Sequence, residues 1–191
     1  MNLPNTLTVA RIFLVPLLVV VLLTKFDAWW PFGFSKEIVG AIIFAIASLT
    51  DWLDGYLARK LNQTSAFGAF LDPVADKFLV CACLLVLVHL GRTDVFVALI
   101  IIGREIAISA LREWMAQIGA SRSVAVHMIG KVKTMVQMVA IPFLLFDGPL
   151  WGGFDTGTWG QGLIWLAAIL TVWSMVYYLQ KALPIIRQHV S

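Results

Sequence analysis

The sequence predicts an all-α integral membrane protein of six transmembrane helices, and three observations carry that prediction. Apolar residues make up 60% of the chain and charged residues 13%, with a mean hydropathy of +0.89, too little charge to clothe a soluble fold of this size. Six apolar runs recur, each near the roughly 20 residues that cross a bilayer. The charges inside the first five fall at the start, end, start, end and start of successive runs. For spans that alternate in direction, that is always the same face of the membrane. At 191 residues the chain reads as a single domain, 1–191.

The first run, 7–24, has Arg11 near its start and Pro16 inside, where a kink is expected. Trp29, Trp30 and Pro31 follow it rather than a small-residue cleavage site, so it reads as a retained span and not a signal peptide. The second, 38–59, carries Asp51, Asp54 and Arg59 near its end. The third, 69–90, carries Asp72, Asp76 and Lys77 near its start, and its Cys81 and Cys83 point in different directions and read as inert core thiols. The fourth, 95–116, has Arg104, Glu105, Arg112 and Glu113 in its second half. The fifth, 130–147, begins with Lys131 and Lys133 and contains Pro142. The sixth, 161–183, has no charge from Gly162 to Leu179 and is expected to stop at Pro184.

Of fourteen Lys and Arg, only Lys25, Lys36 and Arg92 lie off the charged face, so the positive-inside rule makes that face cytoplasmic and both termini internal (N-in, C-in). Trp29, Trp30, Trp151 and Trp159 fall in the connections at the far face, as an interfacial belt should. The small net charge of +3 gives no reason to expect a nucleic-acid partner and fits an anionic lipid surface or substrate.

The chemistry concentrates in Asp51–Lys77. Asp51 and Asp54 are three apart and Asp72 and Asp76 four apart, and on helices both spacings put a pair on one face. The stretch 60–68 is short, so the second and third runs are expected to form an antiparallel hairpin with the two pairs facing each other. Four close carboxylates repel one another unless a cation sits among them, and an oxygen-only donor set selects Mg²⁺ or Mn²⁺ over zinc. Gly55 and Gly68 let a ligand approach the backbone, and Arg59 suits a phosphate. The combination suggests a cation holding a pyrophosphate, with one carboxylate left to take a proton. Alternatively, these Asp are helix ends at a membrane surface, or the ion site of a cation transporter. Against the transporter, the acidic cluster lies at one face rather than near the midplane.

The residues Asp51-x2-Asp54-Gly55-x2-Ala58-Arg59-x8-Gly68-x3-Asp72-x3-Asp76 resemble, at every fixed position, the signature of the CDP-alcohol phosphatidyltransferase family. The resemblance implies six transmembrane helices with an active site at the cytoplasmic membrane surface, usually in a homodimer. It implies that Asp51, Asp54, Asp72 and Asp76 bind one or two divalent cations, and that Gly55, Arg59, Gly68 and Ser65 hold the CDP moiety. Asp76 would also be the base that deprotonates the acceptor alcohol, whose oxygen attacks the lipid-bearing phosphorus and expels CMP.

Arg104, Arg112, Lys131 and Lys133 put four cations on the site's side of the membrane. Buried arginines facing a helix bundle need an anion, which a phosphorylated acceptor supplies; the alternative is that they snorkel to lipid head groups. Glu105 and Arg112, seven apart, are expected to pair. Lys133 is the weakest of the four candidates, since it and Lys131 cannot both face one way. The runs 2–11, 72–77, 104–114 and 130–134 are similar to the bacterial branch of the family that uses glycerol 3-phosphate as acceptor. That resemblance implies CDP-diacylglycerol and glycerol 3-phosphate as substrates and a multi-pass protein of the bacterial inner (cytoplasmic) membrane. Other acceptors of the same chemistry are serine, inositol phosphate or phosphatidylglycerol. Asn5 and Thr8 are read as nucleotide contacts or as caps of the first helix.

Overall fold

The structure, a computed structural model, describes residues 3–24, 35–60, 66–119, 128–150 and 153–190. Among these, six helices appear: α1 Leu3–Leu23, α2 Lys36–Lys60, α3 Ala66–His89, α4 Val95–Gln117, α5 Met128–Phe146 and α6 Thr156–Val190. A two-residue antiparallel ladder, β1 Pro149–Leu150 with β2 Phe154–Asp155, lies in the connection from α5 to α6. Pro184 does not end the last helix. α6 runs for 35 residues with Pro184 inside it.

The helices form two groups of three. α1 packs along both α2 and α3, which share little surface with each other, and α6 packs along α5 and α4; contacts of α2 with α5 and of α3 with α4 join the groups. α2 and α3, the arms of the expected hairpin, do meet, but α1 packs more extensively along each of them. Close approach explains part of this packing. A Cβ on Gly40 would stand 2.5 Å from Leu22 Cδ2, so glycine is what lets α2 meet α1. The α3–α4 turn is sharp because Gly91, at φ +71, closes α3, with the N–H of Arg92 bonding back to the carbonyl of Leu87 at 2.9 Å and that of Gly91 to Val88 at 3.0 Å. Asp94 then caps α4, accepting from the N–H of Phe96 at 2.7 Å.

The main core runs through all six helices, from Leu18 and Phe44 to Leu84, Ile101, Ile141 and Ile164. Outside it the surface stays apolar: Phe13 is 72% exposed, Leu99 64% and Trp173 60%. Large apolar side chains outside as well as inside mark a chain associated with membrane. Two helices, over Thr6–Leu23 and Thr156–Arg187, are long and apolar enough to cross a bilayer by composition alone. The others carry the remaining charges of the site, beside Arg11 of α1.

Candidate active site

α1 organises the acidic end. Thr8 and Arg11 are one turn apart on its inward face, and both are about 1% exposed. Thr8 donates its hydroxyl proton to Asp72 Oδ1 at 2.7 Å, and Arg11 Nη1 meets Asp51 Oδ1 at 2.6 Å. One helix thus holds a carboxylate from α2 and one from α3. Thr8 lies inside α1 and aims at Asp72, so it is not a helix cap. In each of these two bonds the engaged carboxylate oxygen is Oδ1. Asp76 lies one turn beyond Asp72 on α3, within electrostatic reach of Asp51, Arg11, Glu105 and Lys133. It opens onto a cavity of about 40 Å³ between α3, α4 and α5, lined also by Glu105, Thr134 and Gln137.

Oxygen donors alone suit a hard cation. Asp51, Asp72 and Asp76 do not by themselves form a cluster close enough to hold one among the described residues. The fourth carboxylate, Asp54, has its side chain outside those residues. So do the side chains of Asn5 and Arg59, and all of Ser65. Gly55 lies within α2, and Gly68 is buried in the first turn of α3.

The basic side is arranged differently from the expectation. Lys133 is 1% exposed and pairs with Glu105 Oε1, whereas Lys131 is exposed. The order of the two lysines is reversed: the one that faces the bundle is Lys133. Glu105 does not pair with Arg112. It bridges Lys133 and Arg104, whose Nη1 lies 3.2 Å from the same oxygen. Arg104 Nη2 also donates to Ser174 Oγ of α6 at 3.2 Å. Arg112 Nη2 donates to the Tyr178 hydroxyl at 3.4 Å, and both guanidinium carbons lie within 6 Å of the Tyr178 ring centroid, at 5.7 Å for Arg104 and 5.3 Å for Arg112. Gly130 makes room for that hydroxyl, since a Cβ there would stand 3.3 Å from it. The Nε atoms of Arg104 and Arg112 are buried without a hydrogen-bond partner among the described residues. Unspent donors on buried cations are what an anion would use.

Residues 1–173, which include the acidic signature, match the model of the CDP-alcohol phosphatidyltransferases. The chain belongs to that family. Curated relatives agree over nearly the whole length. A CDP-diacylglycerol–glycerol-3-phosphate 3-phosphatidyltransferase of Salmonella choleraesuis (strain SC-B67) is 51% identical over 183 residues, covering 95% of this chain and 94% of the relative. The protein of the same name from Escherichia coli (strain K12) is 48% identical over the same shares. Within this phosphatidyltransferase, Ser174 and Tyr178 fall beyond the matched 1–173, in a helix whose sequence shows no charge there to draw attention. Arg11 and Gln137 were equally missed as partners, and Glu105 was given Arg112 as its partner instead of Lys133 and Arg104. The signal for Arg11 and Glu105 was present, as charges inside apolar runs; the one for Gln137 was a lone amide in an apolar helix.

Proposed function

We propose that the protein transfers the phosphatidyl group of CDP-diacylglycerol to sn-glycerol 3-phosphate, giving phosphatidylglycerophosphate and CMP. The observation that carries the acceptor is Arg104: buried, beside the carboxylate layer, with an Nε still to be spent. An uncharged acceptor would leave that donor unused, whereas an acceptor phosphate uses it. The names of the relatives at 48–51% identity support the same reading.

In this reading Asp76 accepts the proton of the acceptor hydroxyl. The freed oxygen forms a bond to the lipid-bearing phosphorus, and the bond from that phosphorus to CMP breaks. Arg104, Arg112 and Lys133 hold the acceptor phosphate, with Glu105 setting the position of Arg104 and Lys133; exposed Lys131 guides it from the surface. Gly55, Arg59, Ser65 and Gly68, with Asn5 and Thr8, hold the nucleotide. Asp51, Asp54, Asp72 and Asp76 would bind one or two Mg²⁺ or Mn²⁺, which when bound neutralise the charge of the pyrophosphate. All six helices would cross the bacterial inner membrane with both termini in the cytoplasm, and two copies would form a homodimer.

The experiment offers purified protein CDP-diacylglycerol with labelled glycerol 3-phosphate, serine, inositol phosphate and phosphatidylglycerol in turn. Label should enter lipid from glycerol 3-phosphate and should not after chelation by EDTA. Transfer of any other acceptor in preference would replace the acceptor assignment, and full activity in EDTA would remove the cation.

A further inference from the structure

Gln137 has no role in the chemistry so far, yet its placement is costly. It lies in the middle of α5, between Val136 and Met138, and is 3% exposed, and its Nε2 has no hydrogen-bond partner among the described residues. A buried amide left unsatisfied costs about 1–3 kcal/mol, and a leucine or methionine there would avoid that. Four residues from Lys133, it shares that lysine's stripe on α5 and so faces the same layer. It lines the cavity of about 40 Å³ that Asp76 opens onto.

That volume admits one water or one hydroxyl, and not a whole polyol phosphate. Of the other polar groups that line the cavity, Glu105 holds Lys133 and Arg104, Thr134 Oγ1 donates to its own helix at the carbonyl of Gly130, 3.0 Å away, and Lys77 lies on the α3 side beside Asp76. Resting on the reading above, the acceptor brings two hydroxyls on adjacent carbons. One must reach Asp76 to lose its proton, and the other must then lie next to it. We propose that Gln137 is a specificity-determining residue whose side-chain amide binds that second hydroxyl in this cavity. Holding the neighbour restricts rotation about the carbon–carbon bond and so aims the attacking oxygen. A site built to hydrogen-bond a hydroxyl rejects an acceptor that lacks it, because the amide is then left dry.

The test compares glycerol 3-phosphate with 3-hydroxypropyl phosphate, the same acceptor without its middle hydroxyl. Wild-type protein should use the latter with kcat/KM at least about tenfold lower. Gln137→Met, close in shape but without donors, should lose activity on glycerol 3-phosphate and little on the analogue, so that the ratio falls towards one. Its KM for CDP-diacylglycerol should not move, and its Tm should hold or rise, since a dry amide has been removed. Gln137→Asn, which withdraws the amide by one methylene, serves if the Met variant folds poorly and should also lose the discrimination. Equal wild-type rates on both acceptors would overturn the proposal and leave the cavity to a water. So would a variant that slows both acceptors alike, which is the mark of a packing role. If wild type transfers to a different alcohol and not to glycerol 3-phosphate, the functional reading itself fails and takes this one with it.

Discussion

Arg92 and Arg104 are handled in opposite ways at the two ends of the bundle. At the Trp-rich end, Arg92 spends every nitrogen: Nε lies 3.0 Å from Asp147 Oδ2, Nη1 donates to the carbonyl of Leu145 at 2.7 Å, and Nη2 lies 3.4 Å from Glu37 Oε1. One guanidinium so ties the start of α2 and the end of α5 to the α3–α4 turn. In the charged layer, Arg104 and Arg112 are as well enclosed but keep an Nε each, and Gln137 keeps an Nε2. A finished network is a clasp, and its job is the fold. An unfinished one, with several spare donors gathered beside carboxylates, is where a ligand has bonds to add.

The largest effect that would sharpen this contrast is at Asp76. Asp76→Asn should cut CMP release by about a thousandfold or more with the thermal midpoint retained, since the proton acceptor is lost together with one carboxylate of the cation set. Substantial turnover by that variant would remove the base assignment. Next come the unfinished arginines. Arg104→Ala or Arg112→Ala should raise KM for glycerol 3-phosphate by roughly ten- to hundredfold, the worth of a charge-assisted hydrogen bond, and move KM for CDP-diacylglycerol far less. Equal effects on both substrates would make them clasps like Arg92. The finished arginine should behave in reverse: Arg92→Met should cost about 2–3 kcal/mol of stability in detergent, removing the donor to Glu37, Asp147 and the carbonyls of Leu144 and Leu145, while kcat/KM stays put. Loss of activity at unchanged stability there would break the comparison.

The smallest effect is at the same far end. Asp155, just before α6, accepts from the hydroxyl and the N–H of Thr158, at 2.5 and 3.0 Å, and these bonds hold its carboxyl below the usual carboxylate range. A lowered folded-state pKa gives stability that is present above the ordinary aspartate range and is lost as pH falls through the folded value. Asp155→Asn should therefore flatten the acid side of the stability profile slightly and leave transfer unchanged. A change in turnover at neutral pH would contradict its placement away from the site.

Much of this protein is legible along the chain. Composition and the alternating charges determined an all-helical, membrane-associated protein with one charged layer, because hydropathy and helical phase are local properties. The spacing of Asp72 and Asp76 determined that they share a face for the same reason. Phase also determined that only one of Lys131 and Lys133 can look inward, two residues being more than half a turn apart. It could not say which, and the choice fell on Lys133 because Glu105 stands across from it. Nor could it pack α1 along both α2 and α3, with Thr8 on Asp72 and Arg11 on Asp51. Which helix lies beside which depends on the packing of whole faces, such as the close approach of Gly40 to Leu22. Linkers and spacing do not encode it, so the partners of the site's charges were decided by the tertiary structure alone.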